Sequence, residues 1–203
     1  MILNYIQTNW IEIVGAILSL IYLYLSIKQK ISLWIFGFMS SAFYIIVFFQ
    51  TRFYADMSLQ LYYLLVSVYG WINWHKIKPE TGNELPATNT SKRTWLQLIV
   101  AGILIFAVYY LILSRFTDSS IPISDSIVGM LSVLATWMLA KKLLENWLVW
   151  IAADALACGL FFYKGLYVTT FLFVIYTAMA VVGYYQWKKK HDESIVIYNK
   201  RHL

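Results

Sequence analysis

The chain has 203 residues, 61% of them hydrophobic and only 13% charged, with a formal net charge of +6. A soluble domain carries about a quarter charged residues and needs polar side chains to cover its surface, which excludes a water-solvated globule. The lone cysteine, Cys158, excludes a disulfide framework or a multi-cysteine metal site, and His75, His191 and His202 all stand in polar, lysine-rich stretches. Neither a metal site nor a cofactor is expected.

Seven apolar runs, each about as long as a ~30 Å hydrocarbon layer demands of a helix, follow one another: residues 10–27, 32–49, 57–74, 95–113, 123–140, 147–163 and 167–187. They are continuous rather than alternating, so helices rather than barrel strands satisfy their backbones in lipid. The first run lacks a preceding basic region and a small-residue cleavage site, and is read as a retained span. Between the third and fourth runs, residues 77–93 are rich in Thr, Asn, Pro and Gly and read as a flexible connector. Pro79, Pro86 and Pro122 all fall between runs or at an edge. Beyond 187 a lysine run leads into a solvated tail. The predicted fold class is an all-α integral membrane protein with seven transmembrane helices.

Sorting the sixteen Lys and Arg by alternate loops puts thirteen on one side, with only Arg52, Arg115 and Lys164 on the other. Such an asymmetry places the basic side in the cytoplasm, with the N-terminus outside and the C-terminus inside. The basic residues are accounted for as topology determinants, and no nucleic-acid partner is expected.

The chain also repeats itself. A shift of 113 residues superposes the first three spans on the last three without a gap, giving fourteen identical pairs between residues 11–76 and 124–189. They include Trp34/Trp147, Tyr63/Tyr176, Gly70/Gly183 and Trp74/Trp187. Three spans per repeat would invert the second copy, and the extra span at 95–113 restores its direction. The expected organisation is 3+1+3: a first three-helix repeat (1–76), a connector and linker helix (77–122), a second repeat (123–190) and a cytoplasmic tail (191–203). Parallel repeats of this kind are related by an axis along the membrane normal, with the substrate site at their interface.

The last span has no central lysine for a retinal Schiff base, and no phosphate-binding Gly-x-x-x-x-Gly-Lys-Ser/Thr loop is present. Asp154 alone sits deep in a span, so no intramembrane hydrolase dyad can be assembled. A carrier remains, and no enzyme is expected. The strings Trp10-Ile-Glu-Ile-Val-Gly15, Phe48-Phe-Gln-Thr-Arg-Phe-Tyr-Ala-Asp-Met-Ser-Leu-Gln60 and Tyr69-Gly-Trp-Ile-Asn-Trp74 resemble the PnuC family of vitamin transporters. So do Glu145-Asn-Trp-Leu-Val-Trp150, Tyr163-Lys-Gly-Leu-Tyr167 and Gly183-Tyr-Tyr-Gln-Trp187. The resemblance implies a SWEET-like architecture in a bacterial inner membrane. It further implies uptake of nicotinamide riboside by facilitated diffusion, with a cytoplasmic vitamin kinase trapping the product. Relatives that carry thiamin, and less often riboflavin, keep those substrates open, and Asp154 departs from the neutral amide that some riboside carriers have. A homo-oligomer, with a trimer as one form, is implied as well.

The candidate site follows from helical spacing. Trp147, Trp150 and Asp154 stand at i, i+3 and i+7 on one face of the sixth span, with Asp154 about 10 Å inside. A carboxylate there costs about 2.5–3.5 kcal/mol, and its functional reading is a counter-charge for an aromatic cation held between indole faces. The rival reading is a carboxyl clipping two helices together. Trp34, Ser41 and Tyr44 make the matching face of the second span, Ser41 being the counterpart of Asp154. In the third span Gln60 can donate and accept hydrogen bonds, and Asp56, Tyr63 and Ser67 share its stripe. Tyr63 and Tyr176 are repeat-related, deep, and placed either to close over a ligand or to pack the core. Trp34 and Trp147 compete with ordinary interfacial anchoring, to which Trp10, Trp74, Trp95 and Trp187 are assigned outright.

Overall fold

The computed structural model describes residues 2–50, 54–76, 87–117 and 119–201. Seven helices follow in chain order: α1 (Ile2–Ile27), α2 (Leu33–Gln50), α3 (Tyr54–Trp74), α4 (Lys92–Phe116), α5 (Pro122–Ala140), α6 (Asn146–Tyr163) and α7 (Tyr167–Arg201). Among the described residues there is no strand, only an isolated bridge between Thr88 and Leu143.

Local chemistry sets the helix ends. α4 opens on Ser91, whose hydroxyl oxygen accepts from the Thr94 N–H, the usual way to satisfy an orphan donor. α5 opens on Pro122, which has no N–H to leave unpaired. α1 and α5 close alike: Gln29 and Lys142, 113 residues apart, take φ of 56° and 59°. Around them the Lys30 N–H reaches the Leu25 carbonyl and the Leu143 N–H reaches the Met138 carbonyl, the six-residue closure usually made with glycine. α7 runs past the lysine cluster to Arg201 because no glycine or proline follows Gly183 to stop it.

α1 packs on α2, α2 on α3, α3 on α5, α5 on α6, α6 on α7, and α7 back on α1. Six helices thereby close a ring, and a shift of 113 residues carries each contact onto another: α1–α2 onto α5–α6, α2–α3 onto α6–α7, and α3–α5 onto α7–α1. α4 stays outside the ring, against α5. A short strap ties its approach to the α5–α6 turn. The Thr88 N–H donates to the Lys142 carbonyl and the Leu144 N–H to the Thr88 carbonyl, while the Thr90 N–H and hydroxyl both donate to Glu145 Oε2 at 2.8 and 2.6 Å.

Five of the helices, α2, α4, α5, α6 and most of α7, are long and apolar enough to cross a membrane. The apolar part of α1 is shorter, Ile13–Ile27, and α3 falls short because Ser58, Gln60, Ser67 and Asn73 dilute its apolar face. Large apolar side chains such as Leu65, Ile103, Leu104 and Phe171 point outward and stand largely exposed, as lipid-facing residues do.

Candidate functional site

At the lysine-rich end of the ring four indoles form a chain. Trp34 meets Trp74 edge-on at 5.6 Å, Trp74 meets Trp187 at 6.1 Å, and Trp187 meets Trp147 edge-on at 5.6 Å. All four are buried, none more than 5% exposed. The chain is two equivalent pairs joined in the middle. Each outer indole lies over a glycine: a methyl at Gly70 would overlap the Trp34 ring, and one at Gly183 would stand 2.6 Å from Trp147 Cε3 and Cζ3. Each inner indole donates to the opposite half, Trp74 Nε1–H to the Leu139 carbonyl at 3.3 Å and Trp187 Nε1–H to the Ser26 carbonyl at 2.9 Å. Ser26 and Leu139 are themselves equivalent, one residue short of the helix end, where carbonyls lack intrahelical partners. Asn73 adds a bond to the Ala140 carbonyl, and the Lys142 ammonium covers the Trp74 ring at 4.6 Å.

Deeper in the ring the polar groups are of another kind. Asp154 on α6 is 7% exposed and Ser41 on α2 is 5% exposed, and neither side chain has a hydrogen-bond or ion-pair partner among the described residues. Asp154 interacts electrostatically with Tyr176 on α7, which also feels Tyr44 on α2. The Tyr44 ring in turn covers Gly15 of α1, 3.0 Å from where a Cβ would stand. Half-buried Gln60 on α3 makes no hydrogen bond among the described residues. The Nε1–H groups of Trp34 and Trp147 are likewise buried without a partner, and Trp150 packs half-buried against the core. No Lys or Arg occurs in α1, α2, α3, α5 or α6, and none in α7 before Lys188. The interior thus offers one carboxylate, several aromatic faces and unpaired donors and acceptors, a chemistry suited to a flat cation bearing polar substituents. No group of His, Cys, Asp and Glu able to hold a metal occurs among the described residues.

The family described as nicotinamide mononucleotide transporter matches residues 9–189. The chain belongs to that family. Its curated relatives include the nicotinamide riboside transporter PnuC of Escherichia coli (strain K12), 26% identical over 88% of this chain and 85% of the relative. PnuC of Neisseria mucosa is 28% identical over 89% of this chain and 73% of its own length. The riboflavin/roseoflavin transporter RibM of Streptomyces davaonensis is 24% identical over 88% and 84%. A crystal structure of the vitamin B3 transporter PnuC shares the fold, with a TM-score of 0.73 and 24% identity over 95% of this chain and 86% of that one. The protein is therefore a multi-pass membrane transporter of the PnuC family and not an enzyme.

Within this PnuC-family ring the residues singled out from the sequence separate into three groups. Asp154, Tyr176 and Tyr44 come together, and Ser41 lies on the same turn of α2 as Tyr44. Tyr63 goes elsewhere: its hydroxyl meets Ser132 of α5 and lies near Tyr62, Tyr22 and the α4 residue Tyr109, beside the bond from the Tyr62 hydroxyl to the Val133 carbonyl at 2.8 Å. Tyr63 and Tyr176 thus have different neighbours despite their equivalence. Trp34 and Trp147 join the indole chain. The Asp56 side chain lies outside the described residues. The interfacial assignment of Trp74 and Trp187 is corrected, since residues 5% and 0% exposed with indoles bonded across the ring do not face headgroups; Trp10 and Trp95 stay exposed. The signal for the pair was present in the sequence as the twice-occurring Gly-x-x-x-Trp, Gly70 to Trp74 and Gly183 to Trp187.

Proposed function

We propose that this transporter takes up nicotinamide riboside by facilitated diffusion, and that phosphorylation by a cytoplasmic vitamin kinase traps the product. The observation that carries the reading is the unpartnered Asp154 carboxyl, electrostatically coupled to Tyr176, at a depth where no ring helix carries Lys or Arg. A pyridinium ring with a positive charge satisfies that carboxylate, and ribose hydroxyls and a carboxamide satisfy Gln60, Ser41 and the free indole N–H groups. The names of the relatives from Escherichia coli and Neisseria mucosa support the same cargo. A phosphate would meet no cation at the depth of Asp154, which favours the riboside over the mononucleotide named in the family description. Thiamin is the second reading, because its thiazolium answers the same carboxylate. Riboflavin, the cargo named for the Streptomyces relative, is neutral and leaves Asp154 unpaired.

The two halves (1–76 and 123–190) form the walls of the path, with residues 77–122 as connector and linker and 191–203 as tail. The thirteen-to-three split of basic residues supports an inner-membrane orientation with the lysine-rich end and C-terminus in the cytoplasm. The deciding experiment titrates purified protein with nicotinamide riboside, thiamin and riboflavin and follows quenching of tryptophan fluorescence. Nicotinamide riboside is expected to bind tightest. Tighter thiamin binding selects the second reading, and tighter riboflavin binding overturns the cation argument. Liposomes containing the protein should equilibrate the preferred vitamin without nucleotide or ion gradient; chemical conversion instead would indicate a membrane enzyme.

A further inference from the structure

We propose that Trp34, Trp74, Trp147 and Trp187 are the gate that closes the lysine-rich end of the transport path, latched by two equivalent hydrogen bonds between the halves. Alternating access in repeat carriers requires one repeat to rock against the other around a fixed site, so whatever closes one end must be made of contacts between the repeats. Here the contacts are the central Trp74–Trp187 pair and the donations of each inner indole to a carbonyl of the other half, Ser26 or Leu139. The outer indoles, Trp34 and Trp147, belong to the same half as the inner indole they touch and lie over that half's glycine, Gly70 or Gly183. Each half can therefore carry its own pair of rings as a unit. Opening separates the central ring contact, the cross-half indole bonds and, beside them, the Asn73–Ala140 bond and the Lys142 ammonium on Trp74, whereas the pairs within each half stay packed.

Two further features fit a latch rather than a permanent core. The carbonyls that receive the indole N–H groups sit in the left-handed turns at Gln29 and Lys142, where the Gln29 N–H and Lys142 N–H also bond to them. The Ser26 and Leu139 carbonyls therefore keep a partner when the indoles leave, so opening orphans neither of them. The outer indoles also keep their own N–H groups unpaired on the closed gate, where they are available to a passing substrate.

The inference rests on the transport reading for its meaning, yet its test involves no vitamin and so stands or falls separately from the choice of cargo. Ser41, two helical turns inside Trp34 on α2, serves as the reporter through Ser41→Cys combined with Cys158→Ser. A membrane-impermeant thiol reagent is applied to either face of oriented membrane vesicles. The introduced thiol should be protected from the lysine-rich face in the parent. Combining Trp74→Leu with Trp187→Leu should raise its labelling from that face at least tenfold and leave labelling from the opposite face unchanged. Trp74→Phe with Trp187→Phe keeps two rings but deletes both latching donors, and should raise labelling from the same face by a smaller factor. If the leucine pair does not accumulate in the membrane, the phenylalanine pair decides. Unchanged labelling from the lysine-rich face, or an equal rise from both faces, overturns the gate.

Discussion

Gly183→Ala tests the fit between the outer indoles and the ring helices. The added methyl would stand 2.6 Å from Trp147 Cε3 and Cζ3, where carbon atoms rest about 3.5–4.0 Å apart. Relief needs a movement of about 1 Å, and the indole is hemmed in by Trp187, which is fully buried and tied to the Ser26 carbonyl. Overpacking of this kind costs about 1–3 kcal/mol, which in a chain of this size lowers Tm by about 2–4 °C per kcal/mol. Gly70→Ala should cost about as much, since the Trp34 ring overlaps the same position in the other half. Gly159 supplies the control: it lies in α6 with nothing within 4 Å of its would-be methyl, and Gly159→Ala should gain helix propensity without a clash. The assay is thermal unfolding in detergent followed by tryptophan fluorescence. Equal Tm values for Gly183→Ala and Gly159→Ala would refute the packing argument.

Asp154→Asn removes the interior carboxyl while keeping the shape, and should weaken binding of a cationic vitamin about 10- to 100-fold, or ~1.4–2.8 kcal/mol, in protein that still reaches the membrane; unaltered binding would take Asp154 out of the site. In counterflow across liposomes, nicotinamide riboside and thiamin should exchange and their monophosphates should not, because no ring helix carries Lys or Arg at the depth of Asp154; comparable exchange of a monophosphate would defeat both the charge argument and kinase trapping. Reporter tags at the two ends should place the N-terminus outside and the C-terminus in the cytoplasm, and tags on one common side would contradict an odd number of spans.

Helix positions were legible because apolar runs of membrane length leave little choice, and the runs 32–49 and 147–163 differ from α2 and α6 by at most one residue at either end. The repeat was legible too, since rare residues such as tryptophan recur at one spacing. The indole chain was not. Tryptophan beside lysine at the end of a span reads as an interfacial anchor, and only the pairing of α3 with α5 and α1 with α7, contacts remote in sequence, turns Trp74 and Trp187 inward. α7 outruns its apolar run for a related reason: falling hydropathy after Trp187 marks the edge of the apolar layer, not the end of the helix, which continues for want of a breaker. Asp154 stood out at once as a charge in an apolar run, whereas the different surroundings of Tyr63 and Tyr176 depend on Tyr22, Tyr62 and Tyr109, none of which has a tyrosine at its equivalent position in the other half where one exists.

The strap from Thr88 and Thr90 to the α5–α6 turn gives the outlying helix a mechanical consequence. Leu144 has its amide bonded to Thr88, and Glu145 is held twice by Thr90. Their counterparts in the first half, Ile31 and Ser32, have no such strap among the described residues. The strap braces the α5–α6 turn of the second half and makes two otherwise equivalent turns mechanically unequal. Amide hydrogen exchange would register the inequality as slower exchange at Leu144 than at Ile31, two positions that a perfect duplication would make indistinguishable.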